Sequence, residues 1–255
     1  MSSSTDTKIA VVTGAAMGIG MAISRQLARD GLTVLVSDLD EAKAAETAAE
    51  LRQEGGSAEP LGLDVSNPAS IAAAFAKVEQ RYGRCDVVVN NAGVAKTFPF
   101  LDFPLDSFLT TMNVNVTGAL LCSQHAARLM AQRRWGRIVT IASVAGMRSV
   151  GSGRTAYGTS KAAVIGLTRQ MASELAEFGI TANAVAPGPV DTPLTKALHS
   201  EEFRGAYTSA IPMKRYGTPE EIASLVSFLA SDHAAYITGA AIPVDGGFMA
   251  AGALG

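Results

Sequence analysis

The sequence predicts an α/β protein built around a doubly wound parallel sheet. Short runs rich in β-branched residues alternate with longer stretches in which apolar residues recur at helical spacing. In addition, a glycine-rich turn joins the first predicted strand to the first predicted helix. Strict alternation of this kind is typical of βαβ units, in which the strands of a sheet run in the same direction.

Four strands are predicted in the first half of the chain, at residues 9–13, 33–37, 58–63 and 86–89. The first is the run IAVVT, whose β-branched residues are typical of a strand buried on both faces. Helices are predicted between the strands, and Gly31 ends the first of them. The second helix spans residues 40–54, and the third places Ile71, Phe75 and Val78 on one face.

The same alternation continues in the second half of the chain. Strands are predicted at residues 137–142, 180–186 and 240–244, and helices at residues 105–134, 159–178 and 219–231. The long irregular connection at residues 188–212 is expected to be a mobile lid over a site. We therefore expect a flexible tail at residues 1–8 and a single domain with a mostly seven-stranded parallel sheet at residues 9–255.

Composition excludes several classes of protein. Hydrophobic residues make up 48% of the chain and charged residues 17%, which excludes a disordered protein. A net charge of −2 without a basic run argues against nucleic acid as a partner, and the lack of a long apolar stretch argues against a membrane. The cysteines, Cys85 and Cys122, favour a cytoplasmic location over a disulfide scaffold. The three histidines lack metal-ligand spacing, so no metal is expected.

The glycine-rich turn indicates a binding site for a dinucleotide. Gly14, Gly18 and Gly20 follow the first strand and open a helix with the spacing G-x-x-x-G-x-G. Such a turn points backbone N–H groups and a helix N-terminus at a phosphate. The alternative interpretation is a tight connection between strand and helix that binds nothing.

Asp38 stands at the end of the second strand and indicates the type of dinucleotide. A carboxylate at this position accepts hydrogen bonds from the hydroxyls of an adenosine ribose and repels a 2′-phosphate. Neither Met17 nor Leu39 supplies the positive charge that a 2′-phosphate requires. We therefore expect NAD as the cofactor. A helix N-cap is the alternative role for Asp38, although Asp40 serves that role equally well.

Ser143, Tyr157 and Lys161 form a candidate device for proton transfer. At i,i+4 spacing on a helix, Tyr157 and Lys161 lie one turn apart on the same face. A tyrosine phenol titrates near pH ~10 and is a poor base at neutral pH, but an adjacent ammonium favours the phenolate and lowers that pKa. Ser143 stands at a strand end, where its hydroxyl can bond the same substrate oxygen. The Tyr-x-x-x-Lys pattern is weak evidence for such a device by itself, because it often occurs by chance.

Taken together, these segments resemble the short-chain dehydrogenase/reductase family over nearly the whole chain. The matching stretches are Thr13 to Gly20, Asp64-Val65, Asn90 to Gly93, Asn115 within VNVTG, Ser143, Tyr157, Lys161, and Pro187 to Thr192. The resemblance implies a single-domain Rossmann fold, a homotetramer of 222 symmetry, and an NAD-dependent oxidoreductase acting on CH-OH groups. The apolar residues expected at the subunit contacts are Ala119, Leu120, Leu121, Ala126 and Ala127.

The resemblance also implies a role for each site residue. Tyr157 is the implied acid/base, Ser143 orients the substrate oxygen, Lys161 holds the nicotinamide ribose, and Asn115 kinks its helix and holds a water in a proton relay. Asp64 and Val65 lie by the adenine, Asn91 by the ribose, and Thr192 by the carboxamide. The implied cofactor-binding residues are Gly14, Met17, Gly18, Ile19, Gly20, Asp38, Leu39, Asp64, Val65, Asn91, Ala92, Gly93, Tyr157, Lys161, Pro187, Gly188, Val190 and Thr192.

We expect the substrate to be a small molecule, a secondary alcohol such as an alcohol, polyol, sugar or hydroxy acid, that is interconverted with its ketone. Three alternatives stay open: an NADPH-dependent 3-oxoacyl-[acyl-carrier-protein] reductase of the same family, an epimerase or dehydratase, and a non-catalytic dinucleotide-binding sensor. Arg148 and Arg154 lie between the serine and the tyrosine, where either side chain can meet an anionic substrate group or simply face solvent.

Overall fold

The computed structural model describes residues 7–198 and 200–251 and contains one seven-stranded sheet in which all strands are parallel. In chain order the strands are β1 (Ile9–Thr13), β2 (Thr33–Asp38), β3 (Ser57–Gly62), β4 (Val87–Asn90), β5 (Gly136–Ile141), β6 (Ile180–Pro187) and β7 (Ala241–Val244). Their spatial order is β3-β2-β1-β4-β5-β6-β7, so the direction of winding reverses between β1 and β4. A crevice forms at such a reversal, and doubly wound folds bind ligands there.

Helices cover both faces of the sheet. They are α1 (Gly18–Arg29), α2 (Glu41–Gln53), α3 (Pro68–Tyr82), α4 (Leu105–Met112), α5 (Gly118–Arg133), α6 (Thr155–Leu175), α7 (Pro193–Leu198), α8 (Glu201–Ala210) and α9 (Pro219–Ala230). Within the described residues, no helix is both long enough and apolar enough to cross a membrane.

The strand side chains divide between two hydrophobic cores. In β1, Ala10 and Val12 pack on the side of α1, α2 and α9, whereas Ile9 and Val11 pack on the side of α3, α5 and α6. Because side chains alternate along a strand, a sheet covered on both faces needs apolar residues at every position. The run IAVVT is therefore buried throughout, as the sequence predicts.

The expected fold class is confirmed, with three differences in its elements. The predicted helix at residues 105–134 is divided into α4 and α5 by a π-helical turn, Asn113–Thr117. Helix α6 begins at Thr155 rather than residue 159. Gly158 does not interrupt the helix, because its N–H donates to the Arg154 carbonyl at 2.8 Å. The connection expected to be irregular contains α7 and α8.

Lys8, near the start of the described residues, contacts two side chains that are distant from it in the sequence. The Lys8 ammonium lies 3.1 Å from an Asp232 carboxylate oxygen and 3.8 Å from the centroid of the Trp135 ring. Lys8 therefore does not belong to a free tail, and residues 1–6 of the predicted tail lie outside the described residues. The domain limits as a whole stay a prediction.

Candidate active site

The turn between β1 and α1 is fastened to the end of β4. The Thr13 hydroxyl accepts hydrogen bonds from the backbone N–H groups of Asn91 (3.1 Å) and Ala92 (3.0 Å). The Asn91 amide donates in return to the carbonyls of Thr13 (2.9 Å) and Gly14 (2.8 Å). The side chain of Asn91, which the family resemblance places by a ribose, thus holds the glycine-rich turn against β4.

Glycine is required in this turn for two physical reasons. Gly14 and Gly18 have φ values of 62° and 57°, in the left-handed region that other residues rarely adopt. At Gly20 the constraint is space, because an added Cβ would lie 2.2 Å from the Gly14 carbonyl oxygen. The backbone of α1 therefore approaches the turn more closely than any side chain permits.

The N-terminus of α1 suits the pyrophosphate of a dinucleotide. Among the described residues, no side chain caps this helix and no acidic residue lies in its first turn. In contrast, Asp40, Asn67 and Thr218 cap α2, α3 and α9 with their own side chains. The first N–H groups of α1 and its positive dipole end are therefore available to an anion. Met17 precedes this turn and is half exposed, and Ile19 packs against the core.

Asp38 lies beside the glycine-rich turn, at the end of β2. Its carboxylate accepts hydrogen bonds from the backbone N–H groups of Ala16 (3.1 Å) and Asp40 (3.2 Å). The cap of α2 is Asp40, whose carboxylate accepts the Lys43 N–H at 3.1 Å. Helix capping therefore does not explain Asp38. Leu39 follows it with 75% of its surface exposed.

The segment after β3 brings Asp64 and Val65 toward α5. The Asp64 carboxylate accepts hydrogen bonds from the N–H and the hydroxyl of Ser66, at 2.8 Å and 2.7 Å. Val65 packs so closely on Gly118 that a Cβ there would lie 2.6 Å from the Val65 carbonyl oxygen. Both predicted residues therefore lie next to the crevice, and the Asp64 carboxylate shapes its own turn.

Asn115 is buried in the π-helical turn and clamps the loop after β4. Its side-chain carbonyl accepts the Val94 N–H at 2.8 Å, and its amide donates to the Val94 carbonyl at 3.0 Å. The same amide donates to the Ser160 hydroxyl at 2.9 Å, and that hydroxyl donates to the Tyr157 carbonyl at 2.8 Å. Asn113, by contrast, is exposed and donates to the Ser66 carbonyl.

Lys161 is buried between the ends of β4 and β5. Its ammonium donates to the Ile141 carbonyl at 2.7 Å and lies 5.6 Å from the centroid of the Tyr157 ring. A Cβ added to Gly93 would lie 3.7 Å from the same nitrogen, so the backbone of Gly93 passes directly over it. Because burial disfavours the charged form, the pKa of Lys161 falls from its ordinary 10.5 to about 8.

The pKa of Tyr157 differs from what the sequence led us to expect. Burial raises it above the ordinary value of 10.0, while a hydrogen bond with Ser143 and the charge of Arg154 oppose that rise. The expectation that Lys161 lowers the pKa of this phenol therefore does not hold for the chain alone. The physical reason is burial, which disfavours the charged phenolate and outweighs the two opposing effects.

The segment after β6 forms the next wall of the crevice. The Gly188 N–H donates to the Val244 carbonyl at 2.9 Å, where Pro187 ends β6. Val190 is buried and forms a β-bridge with Gly217. Thr192 is also buried, and its N–H donates to the Thr195 hydroxyl at 2.9 Å.

Sequence reasoning missed an aromatic cluster that α8 brings over the site. The Tyr207 ring lies 5.0 Å from Phe203, 6.4 Å from Tyr216 and 5.8 Å from Phe248, centroid to centroid. Tyr207 also acts on Tyr157, whose pKa it helps to raise. The i,i+4 spacing of Phe203 and Tyr207 was a usable signal, but the predicted irregular connection concealed it.

Cys122 lines a small cavity together with Thr13, Val65 and Ala92. Cys85 and Cys122 are free and buried, and burial raises the pKa of the Cys122 thiol to about 12. Across the part of the chain that the structure describes, no three His, Cys, Asp or Glu residues gather as a metal-binding group.

Comparison with known proteins agrees with this geometry. Residues 14–249 match the family described as enoyl-(acyl carrier protein) reductase. The chain is 40% identical over 243 residues to the 3-oxoacyl-[acyl-carrier-protein] reductase FabG of Aquifex aeolicus, covering 95% of this chain and 97% of that protein.

Two solved structures share the fold over nearly their whole length. A gluconate 5-dehydrogenase from Burkholderia cenocepacia, solved in complex with NADP and tartrate, has a TM-score of 0.93 at 34% identity, with 97% of each chain covered. A short-chain type dehydrogenase/reductase from Mycobacterium marinum has a TM-score of 0.92 at 35% identity, also with 97% of each chain covered. This chain therefore belongs to the short-chain dehydrogenase/reductase family and is an oxidoreductase that acts on CH-OH groups or the corresponding ketones.

Proposed function

We propose that the chain interconverts a secondary alcohol and its ketone with Tyr157 as the acid/base group. The observation that carries this proposal is the convergence of Ser143, Tyr157 and Lys161 at the ends of β4 and β5. Ser143 hydrogen-bonds Tyr157, and the Lys161 ammonium lies 5.6 Å from the same ring. Asn115 supports the group through Ser160, which bonds the Tyr157 carbonyl.

The chain's own residues move and hold the proton. A bound nicotinamide dinucleotide supplies or accepts the hydride. In the direction of reduction, Tyr157 donates its proton to the substrate oxygen while the Ser143 hydroxyl bonds the same oxygen. The raised pKa of Tyr157 favours the protonated phenol at neutral pH, which is the form that reduction needs. Lys161, with a pKa of about 8, exchanges protons close to neutral pH.

Two substrate classes have separate support. The relative from Aquifex aeolicus is a 3-oxoacyl-[acyl-carrier-protein] reductase, and the similarity to it favours that alternative over the broader expectation of a small alcohol. The Burkholderia neighbour is a gluconate 5-dehydrogenase solved with tartrate, which favours a small polyol or hydroxy acid. A non-catalytic sensor has little support, because a protein that only binds a dinucleotide does not need a tyrosine bonded to Ser143.

For the cofactor we propose NAD, on the position of Asp38. Its carboxylate lies at the edge of the glycine-rich turn, and neither Met17 nor Leu39 brings a positive charge there. The NADP in the Burkholderia structure favours the phosphorylated cofactor instead. Asp38 thus favours NAD and the Burkholderia structure favours NADP, and a substitution at residue 38 can distinguish the two cofactors.

For assembly we propose a homotetramer, with α4 at one of its contacts. Of the residues expected at the contacts, Ala119, Ala126 and Ala127 are buried within the chain, so they do not support this proposal. Its support comes instead from Leu101 and Leu105, which are 92% and 67% exposed, together with Phe100 and Leu109. The cytoplasmic location stays a prediction, supported by the free thiols of Cys85 and Cys122.

The proposed reaction is tested by following nicotinamide absorbance with both substrate classes, a 3-oxoacyl thioester series and a panel of small ketones and alcohols. We expect turnover of at least one class, and a fall of ~10²–10⁴-fold in Tyr157→Phe, because a positioned acid/base has this effect on the rate. Tyr157→Phe should keep its affinity for NADH. Near-normal turnover in the folded variant would refute the role of Tyr157, and binding without turnover of any substrate would favour the sensor.

Asp38→Ala should narrow the preference for NAD over NADP. Like charges about 4–5 Å apart repel by a few kcal/mol at an effective dielectric near ~20, and a net ~2–3 kcal/mol corresponds to roughly 30- to 150-fold. Adding Leu39→Arg should shift the ratio further, because a guanidinium pairs with the 2′-phosphate. The measurement is kcat/KM with each cofactor in the parent and both variants. A parent that prefers NADP, or an unchanged ratio in Asp38→Ala, would contradict the proposal.

The free energy of unfolding should depend on pH through Lys161. Its pKa is about 8 in the folded chain against an ordinary 10.5, so the folded state binds fewer protons between these values. The stability of the parent relative to Lys161→Met should therefore rise as pH increases from 8 to 10.5, by at most about 1.4 kcal/mol per pH unit. Urea titrations of the cofactor-free proteins measure it, and a constant difference would show that the pKa is not lowered.

Light scattering at micromolar concentration should give the mass of a tetramer. The double variant Leu105→Glu with Leu109→Glu should give a smaller species, because a buried carboxylate without a partner is unfavourable at an apolar contact. Gln53→Glu adds one negative charge at an exposed position of α2 and should not change the mass. A monomeric parent would exclude the proposed assembly.

A further inference from the structure

We propose that Arg204 is a positioning residue, which seats helix α8 beside the active site by holding Asp191 and the ring of Tyr216. Through α8 it fixes the place of Tyr207, in the aromatic cluster close to Tyr157. The inference rests on the proposed alcohol-ketone reaction, because it concerns the wall of that site. It gives Arg204 no contact with the substrate and no part in the proton transfer.

Helix α8 contributes no buried side chain to the protein core. Its half-buried residues lie on one face of the helix, and they are Phe203, Arg204, Tyr207 and Thr208. In contrast, α9 buries five of its residues. Segments with few buried apolar contacts open at a low cost in free energy. The polar and aromatic contacts of α8 therefore have a large share in holding it in place.

Ile211 and Arg204 attach α8 to the body of the protein at two separate points. Ile211 directly follows the helix and is fully buried. Arg204 lies about two helical turns earlier, ~10 Å along the helix axis. A helix held at one end can tilt about that end, whereas a second attachment two turns away fixes its direction. Tyr207 lies between the two attachments, so its position depends on both.

The partners of Arg204 belong to a firmly held part of the protein. Its Nη2 atom lies 2.5 Å from an Asp191 carboxylate oxygen, and its central carbon lies 4.3 Å from the centroid of the Tyr216 ring. Tyr216 is buried, and the Asp191 N–H donates to the Gly217 carbonyl at 2.9 Å. A carboxylate beside an aromatic ring suits a guanidinium, which pairs with the first and stacks on the second.

The ion pair between Arg204 and Asp191 is partly shielded from water. The two side chains are 24% and 40% exposed, and the Arg204 Nη1 atom is buried without a hydrogen-bond partner among the described residues. Charges shielded in this way interact more strongly than charges at an open surface. Arg25 of α1 and Glu54 at the end of α2 form an ion pair of similar exposure, 24% and 36%, which supplies a matched control.

Tyr207 connects the position of α8 to the surroundings of Tyr157. Its ring lies 5.8 Å from the Phe248 ring, centroid to centroid. Phe248 and Tyr157 pack against the same buried cluster, which consists of Val144, Ala145 and Val150. Tyr207 is also close enough to Tyr157 to raise its pKa. A tilt of α8 therefore alters the environment in which the proposed reaction takes place.

Loss of the ion pair should raise the substrate KM and leave kcat nearly unchanged. Without the pair, α8 is seated in only a fraction of the molecules, and the apparent affinity for the substrate falls by that fraction. A substrate that contacts the aromatic wall seats the helix again at saturation, so the rate of the bound complex is retained. General damage to the site would instead lower kcat.

The direct test is hydrogen exchange of the cofactor-free protein in Arg204→Met, Asp191→Asn and the double variant. Protection of the α8 amides should fall by about 5- to 20-fold in each single variant, as expected for a partly shielded charged hydrogen bond. The double variant should lose no more than either single variant, because each removes the same pair. Protection of α9 should not change.

The functional test is the effect of the same variants on initial rates. Acetoacetyl-CoA with NADH or NADPH represents the thioesters, and gluconate with NAD or NADP represents the polyols and hydroxy acids. For the probe that is turned over, KM should rise by about 5- to 20-fold in Arg204→Met, with kcat within about 3-fold of the parent. Arg204→Lys keeps the charge and should recover part of the loss. Affinity for NADH should change by less than about 3-fold, because the Asp191 N–H stays bonded to Gly217.

Two further variants identify the route by which Arg204 acts. Arg25→Met removes the matched ion pair and should change neither the protection of α8 nor the substrate KM. Tyr207→Ala removes the ring that Arg204 is inferred to position. Adding Arg204→Met to Tyr207→Ala should therefore raise KM by less than about 3-fold further, because the two residues act as one unit.

Each outcome supports or overturns the inference. Unchanged protection of α8 in Arg204→Met, additive losses in the double variant with Asp191→Asn, or a lower kcat at constant KM would overturn it. Equal losses in Arg25→Met, or a full additional effect of Arg204→Met in the Tyr207→Ala background, would do the same. If the parent turns over no member of either substrate class, the proposed reaction fails, and hydrogen exchange of α8 alone then decides the role of Arg204.

Discussion

The close approach between the glycine-rich turn and the end of β4 is the constraint on which the rest of the site depends. Four hydrogen bonds cross this gap: the Thr13 hydroxyl accepts two of them, from backbone N–H groups, and the Asn91 side-chain amide donates the other two, to backbone carbonyls. Gly20 keeps the gap narrow, because it has no side chain to separate α1 from the turn. The two halves of a doubly wound sheet are thereby fixed at the point where their winding reverses.

A series of contacts connects this turn to Tyr157, the proposed acid/base group. The loop that leaves β4 runs over Lys161 at Gly93 and is then clamped by Asn115 at Val94. Asn115 reaches α6 through Ser160, so the π-helical turn and the first turn of α6 are parts of one buried hydrogen-bond network. Such networks are stable only when their members are satisfied together. An alteration at Asn115 therefore affects the position of Tyr157 without touching it.

The order of strands and helices was predictable from the sequence, because the two patterns that indicate them depend only on residues close together in the chain. β-branched runs and helical periodicity identify strands and helices without knowledge of their neighbours, and the alternation then implies a parallel sheet. The residues that gather at the strand ends were predictable for the same reason, because the carboxyl ends of parallel strands lie at one edge of the sheet. What the sequence could not supply depends on tertiary contact. The hydrogen bond from Lys161 to the Ile141 carbonyl and the hydrogen bonds from Asn91 to the glycine-rich turn each involve a partner that is distant in the sequence.

The ion pair between Arg204 and Asp191 has a consequence for engineering this protein. Asp191 is the neighbour of Thr192, whereas Arg204 follows Phe203 in the helix that forms the aromatic wall. The aromatic wall and the segment implied to meet the nicotinamide are therefore connected by this ion pair. Enlarging the pocket at Phe203 or Tyr207 to admit a bulkier alcohol will also displace that segment. Substrate scope and cofactor KM are thus expected to change together, so a selection for one should monitor the other.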